Sequence, residues 1–369
     1  MEWKPILTYK WNAWALGMID DISRCIMRQD LTARAQGLLY GNAGTDVYLF
    51  HAADLKNDDK LFDWATDLLG LILKQVEIKI KHVPQKTDVI DVSLGQGLAG
   101  VGWSMSYLLN SERVEGDMNS IFGAADAAIF RRMVTIVLEP LLQELSSSVG
   151  IGLYAVSRDS RLSHEFLRRY ILELYGRIKQ SETRNKILAQ SSGTIEGLIR
   201  LTGKISDKYS DIAYTLDVRD YLFDLFTTIP MQNLDLRSLF LLIDRESYRT
   251  LAKNELNQRA RWTVENVKKL KIGAGLEQGI VAMGHTFNRI FQHTGDEQCR
   301  DAAVVCFKEL LERANQTVGG SDAGLWNTSS RGIWCRHYGL LNGIAGIGLA
   351  LMAAVSNEEP TWDEILYLS

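Results

Sequence analysis

The sequence predicts an all-α protein built from stacked helical hairpins. Two observations carry this. A Gly-x-Ala-Gly core followed by an apolar run recurs along the chain, and the stretches between copies show one-sided helical periodicity. A third observation is that strand-like alternation is scarce. VEIKIKH (76–82) alternates, but it continues directly from LFDWATDLLGLILKQ and reads as the end of a helix.

The copies, in chain order, are GLLYGNAGTDVYLFHAA (37–53), SLGQGLAGVGWSMSYLL (93–109), SSVGIGLYAVS (147–157), SSGTIEGLIRL (191–201), LEQGIVAMGHTFNRIF (276–291) and LLNGIAGIGLALMAA (340–354). Their first core positions are Gly41, Gly97, Ser147, Gly193, Gly279 and Gly343, at intervals of 56, 50, 46, 86 and 64 residues. The interval of 86 is nearly two of the others. A unit lacking the glycine mark is therefore expected around residues 230–240, which makes seven.

Amphipathic helices fill the intervals. Phe166, Tyr170, Ile171, Leu174 and Ile178 share one helical face, with Arg168, Arg169, Glu173 and Arg177 on the other. Residues 296–313 repeat the pattern, with acidic residues in the first turn and Arg313 at the end. A helix that is apolar all round must be buried on all sides, so each unit pairs an apolar helix with an amphipathic cover. Such units bury their faces only by stacking, as an open solenoid or as a closed α/α barrel. Glycines before the apolar helices permit unusual backbone angles and close chain approach. They leave free N–H groups and positive helix ends at one mouth, where an active site is expected.

Composition narrows the class further. With 41 basic and 45 acidic side chains the formal charge is −4, and no basic footprint suggests nucleic acid or a membrane surface. Five prolines and no low-complexity segment fit one domain over residues 1–369. Four scattered cysteines exclude a disulfide scaffold, and the first residues lack the pattern of a secretion signal, so a cytoplasmic location is expected. Tyr338 to Val355 is 18 residues without charge, the lower limit for a membrane span. Its four glycines and its kinship with the other copies favour a glycine-punctuated turn feeding a buried helix.

These residues carry a resemblance. GLLNGIAGIGLALMAAVSNEEPTWDEILYLS (339–369) and GHTFNRIFQHTGDEQCRDAAVVCFKELLERA (284–314), with LGQGLAGVGWSMSYLL and LYGNAGTDVYLF, resemble the lanthionine synthetase C-like family of lanthipeptide cyclases. The resemblance covers essentially the whole chain. It implies an α,α-toroid of about seven helical-hairpin repeats. It also implies a zinc ion held by two cysteines and a histidine, which activates a substrate thiol. That thiol adds to dehydroalanine or dehydrobutyrine in a ribosomally made peptide. Zinc suits this work because it binds thiolate near neutral pH and is redox-inert.

The ligands do not carry over. Aligned on GHTFNRIF, the family's Cys-His-Gly falls on Glu277-Gln278-Gly279. No cysteine stands between Cys25 and Cys299, where the other cysteine ligand would lie. The family's Ala-His-Gly corresponds to Ser191-Ser192-Gly193. Cys335 lies eight residues before Gly343, whereas the ligand position, two before the glycine, is Leu341. Cys335 and His337 alone make a weak Cys-x-His signal, while Cys25, Cys299 and Cys306 read as buried structural thiols. The expectation is no bound metal and no other cofactor.

Other chemistry is poorly supported. Gly95, Gly97 and Gly100 mimic a dinucleotide loop without the preceding strand, LTGKIS lacks the upstream glycine of a P-loop, and no Gly-x-Ser-x-Gly occurs. The expected function is maturation of lanthipeptide-type peptides by a zinc-free, degenerate cyclase that binds the precursor peptide or a partner enzyme. That partner would be a dehydratase or a zinc-competent cyclase. An alternative is a metal-independent cyclase with Glu277 as general base, a role open to a carboxylate desolvated at a barrel mouth. A lesser one is glycosidase-type chemistry, with Glu277, Glu196 and Asp91 near the apolar-helix starts. Candidates to contact peptide or line a cavity are Gln278, Ser192, His285, Asn288, Arg289, Trp334 and His337, the last two in a 319–338 loop with Trp326 that is long enough to cover a mouth.

Overall fold

The computed structural model describes residues 2–32, 34–81, 91–138, 145–180, 192–316, 327–328, 334–335 and 337–368. Fourteen α-helices lie among them: α1 Lys10–Met27, α2 Asn42–Lys56, α3 Asp59–Lys81, α4 Leu98–Asn110, α5 Met118–Leu138, α6 Leu145–Arg158, α7 Arg161–Ile178, α8 Ser192–Lys208, α9 Thr215–Phe226, α10 Leu236–Ile243, α11 Glu246–Asn266, α12 Ile280–Thr294, α13 Glu297–Gln316 and α14 Ile344–Val355. The alternating stretch at 76–81 is indeed the end of α3. The unmarked unit is α10, whose Ser238 to Ile243 are buried. Two-residue strands, Asn327–Thr328 and Trp334–Cys335, pair antiparallel inside the segment expected to be loop.

Even-numbered helices are the more deeply buried ones. Every residue of α14 from Ile344 to Ala354 is buried, as is Leu98 to Leu108 of α4. Odd-numbered helices bury one face. In α7 this is Phe166, Leu167, Tyr170, Ile171, Leu174 and Ile178, behind a start where Ser160 and Ser163 cap each other. Positive-φ residues close two apolar helices, Asn57 (φ 48°) after α2 and Gly295 (φ 71°) after α12. No helix of the described residues is long and apolar enough to cross a membrane.

The chain divides into two compact units. One comprises residues 1–75, 242–361 and 368–369. Here α12 packs on α14 and α14 on α2, while α11 packs on α13 and α13 on α1, giving an apolar row and an amphipathic row. Tyr48 bridges them: its hydroxyl donates to the Ile19 carbonyl at 2.8 Å, and its ring lies where a Cβ on Gly348 would stand. The other unit comprises residues 76–241 and 362–367 and repeats the plan, with α4, α6 and α8 in one row and α5, α7 and α9 in the other. The tail segment Trp362–Leu366 forms a 3-10 turn whose Trp362, Asp363, Ile365 and Leu366 are buried.

Candidate functional site

The glycines before the apolar helices act through space rather than through dihedral angle. Gly279 and Gly343 have φ of −93° and −118°, which any residue adopts. A Cβ on Gly279 would stand 2.4 Å from the Gly275 carbonyl oxygen, and one on Gly343 2.2 Å from that of Gly339. The lead-in chain folds back onto the helix start, and only a bare Cα fits. Of the two roles expected of these glycines, close chain approach holds and unusual backbone angles do not.

In the first unit this brings three lead-in loops together. The Leu276 N–H donates to the Leu341 carbonyl at 2.7 Å, and the Leu341 N–H donates to the Leu39 carbonyl at 2.8 Å. The loops before α12, α14 and α2 are thus laced side by side. Glu277 stands on this surface, exposed rather than desolvated, and accepts a hydrogen bond from Asn342 Nδ2. Gln278 beside it is exposed. Tyr40, half-exposed, has its hydroxyl pKa raised by partial burial and then by the Glu277 charge. Tyr338 stacks under the Arg34 guanidinium at 4.5 Å, and its carbonyl accepts from Thr45 Oγ1 at 3.2 Å. Exposed His337 offers its carbonyl to the Ile344 N–H at 2.9 Å.

The other candidates of this unit lie deeper along α12. His285 and Asn288 are wholly buried, and Asn288 Oδ1 accepts from Gln292. Arg289 is ten residues beyond Gly279, about 15 Å at the rise of an α-helix. It binds Glu359 and the Pro360 carbonyl of the chain's own tail and lies over the Trp3 ring at 4.9 Å. Trp334 lies in the second short strand, and its side chain, like that of Cys335, is outside the described residues; so are Ser191 and Trp326.

The second unit holds a different carboxylate. Ser192 opens α8, half-buried, and one turn further Glu196 is only 1% exposed. Arg200 Nε donates to Glu196 Oε1 at 3.1 Å and Ser238 Oγ to its Oε2 at 3.3 Å. Burial pushes the Glu196 pKa from 4.5 to about 7; Arg200 opposes that rise, Asp235 adds to it, and Arg237 lowers it. Tyr367, from the tail, packs its ring on Gly197 next to Glu196. Asp235 caps α10 through the Ser238 N–H at 2.8 Å. Asp91, exposed, turns the chain into α4 by accepting from the Ser93 N–H.

Asp46 and Asp126 are among the buried carboxyls that sequence reasoning missed. Asp46 in α2 is 1% exposed, neither oxygen meets a hydrogen-bond partner among the described residues, and burial holds its pKa well above the ordinary range. Asp126 in α5 is buried between Arg158 Nε, at 2.8 Å, and the Tyr154 hydroxyl. The available signal was an acid inside an otherwise apolar helical stretch.

Apolar helices reached through crowded glycine turns, each covered by an amphipathic neighbour, make an all-α fold of the α/α-toroid class. Among solved structures the chain is similar to nisin cyclase, at 11% identity over 95% of this chain and 96% of that one, with a TM-score of 0.67. No protein-family model matches the chain, and no curated sequence does.

The zinc that the resemblance to the cyclases implies meets the wrong donors. At the aligned positions stand the exposed Glu277 carboxylate already engaged by Asn342, the Gln278 amide, the buried Leu341 side chain and the Ser192 hydroxyl. One carboxylate aside, none is a group zinc prefers, and no thiolate or imidazole is among them. These residues do not fit the ion.

Proposed function

We propose that the chain takes part in maturing ribosomally made, lanthipeptide-type peptides as a zinc-free cyclase relative. It binds the precursor peptide, or a dehydratase or zinc-competent cyclase acting on it, in the cytoplasm. Residues 1–369 serve as one cyclase-fold domain. The supporting observation is a cyclase fold spanning 95% of the chain, combined with Glu277, Gln278, Leu341 and Ser192 at the ligand positions. Glu277 and Gln278, exposed on the laced loops beside Tyr40 and Asn342, are the groups best presented to a peptide.

The test mixes purified protein with a dehydrated, cysteine-containing peptide, following binding by calorimetry and free thiol by colorimetry. Binding without thiol loss supports the proposal. Thiol loss with stoichiometric zinc by metal analysis overturns it.

Glu196 favours a second reading, in which catalysis survives without metal. A carboxyl with a pKa of about 7 exchanges protons at neutral pH. It would take the substrate thiol's proton as the sulfur bonds to the β-carbon of dehydroalanine, and then return that proton to the α-carbon. Glu277, the base expected from sequence, is solvated and so less suited. Thiol loss abolished in Glu196→Gln and retained in Glu277→Gln supports this reading; the reverse result restores Glu277.

A further inference from the structure

The laced loops of the first unit hold a cation that no carboxylate neutralises. Arg34 lies in the lead-in to α2, half-buried, with its guanidinium over the Tyr338 ring at 4.5 Å. Among the described residues it makes no ion pair, and none of its nitrogens meets a hydrogen-bond acceptor. Arg158, Arg200, Arg289 and Arg313, also enclosed wholly or in part, each meet a carboxylate. A charge drawn out of water ordinarily has such a partner. The acids of the surrounding loops and of the first turns of α2 are committed elsewhere. Asp30 accepts from the Thr32 N–H at 2.9 Å and from its hydroxyl at 2.6 Å. Glu277 accepts from Asn342, and Asp46 is enclosed with neither oxygen bonded.

We propose that Arg34 anchors a carboxylate of a peptide bound at these loops. The inference rests on the peptide-binding reading above and adds the group that is recognised. Arg34 Nη1 is enclosed, which leaves the Nε–Nη2 edge, the side of a guanidinium that takes a carboxylate in two parallel bonds. The stack on Tyr338 sets the plane of that edge, and Tyr338 is itself held where its carbonyl accepts from Thr45 Oγ1 at 3.2 Å. Little ordering is left for the ligand to impose. Burial lowers the Arg34 pKa, as expected of a guanidinium partly withdrawn from water.

The starts of α2 and α14 lie at the same place. Their first N–H groups are taken by the lead-in chain, Asn42 by the Ala35 carbonyl and Ile344 by the His337 carbonyl, each at 2.9 Å. The helices therefore add a favourable field for an anion and no direct bonds. A carboxylate suits the surface better than a phosphate. Glu277 gives the same loops a negative point that repels a dianion, and the exposed Gln278 amide offers a donor and an acceptor to a peptide backbone. An aspartate or glutamate side chain and a C-terminal carboxylate share this chemistry.

The test titrates the intact chain by calorimetry at low salt with three probes. These are an acetylated decapeptide amide holding two aspartates among glycine and alanine, its asparagine counterpart, and that counterpart with a free C-terminal carboxylate. At least one carboxylate probe should bind about ten-fold tighter than the asparagine amide. That advantage should vanish in Arg34→Gln and persist in Arg169→Gln, an exposed arginine of α7. A tighter aspartate peptide identifies a side chain as the source, and a tighter free acid identifies the C-terminus. Circular dichroism checks the fold of the variants. A readout free of substitution is phenylglyoxal labelling of the wild type, in which the tighter probe should protect Arg34 as followed by mass spectrometry. Equal binding of all three probes, or labelling of Arg34 unchanged by the tighter one, overturns the inference, as does inorganic phosphate binding more tightly than either carboxylate peptide. If the dehydrated, cysteine-containing peptide still binds in that case, the reading of function stands; if it too fails to bind, both fall.

Discussion

Replacing Glu196 by glutamine should remove a pH dependence from the stability of the protein. The carboxyl is 1% exposed, and burial raises its pKa from 4.5 to about 7. The folded state therefore binds this proton more tightly than the unfolded chain. The stabilisation is complete below about pH 4.5 and is lost as pH rises through 7. A gap of about 2.5 pH units, at about 1.4 kcal/mol each, amounts to ~3 kcal/mol. Arg200 loses an ionised partner in the variant, which adds an offset at neutral pH and makes absolute stability a poor readout. The readout is the change with pH in the wild-type-minus-variant difference. Thermal unfolding of both proteins from about pH 4.5 to pH 8 should show that difference moving by ~3 kcal/mol in disfavour of the wild type. For a chain of 369 residues this is about 4 °C in Tm. A difference that stays constant across the range would refute the argument, because Glu196 would then titrate alike in both states.

Three further outcomes are expected. Arg289→Met severs the bonds to Glu359 and Pro360 and the contact with Trp3, and should cost about 3 kcal/mol while hastening limited proteolysis near residue 359; an unchanged cleavage rate counts against the latch. Gly343→Ala drives a methyl into the Gly339 carbonyl and should lower stability by more than about 2 kcal/mol, whereas Gly17→Ala in α1, with nothing within 4 Å of the added carbon, should raise it by up to about 1 kcal/mol. Equal effects in urea titrations would contradict the crowding argument. Cys299 and Cys306, their pKa pushed up to about 12 chiefly by burial, should resist iodoacetamide in the native protein near pH 8 and react in denaturant, as mass spectrometry would reveal.

Much of the architecture was legible before any coordinates. The spacing of the glycine cores located α10 although no motif marks it, because a stacked hairpin needs a fixed length of chain to go out and return. The alternation in VEIKIKH yielded to its neighbours, since helix continuity over α3 outweighs a short period-two run. The site was less legible. Glu277 and Glu196 both sit near helix starts, and sequence offered no way to tell that the first is solvated and the second enclosed. Asp46 and Asp126 drew no attention, because their meaning depends on what surrounds them. Arg289 was one of three polar residues on a helix face until Glu359 and Pro360 met it from 70 residues away.

The sequence by itself determined the all-α class and the alternation of buried helices with amphipathic covers. These follow from local periodicity and from the identity of each side chain. Tertiary structure alone decided which carboxyl is desolvated and that the glycines serve close approach rather than dihedral freedom. Burial, proximity and charge balance depend on which helices become neighbours, and the pattern along any one helix does not contain that.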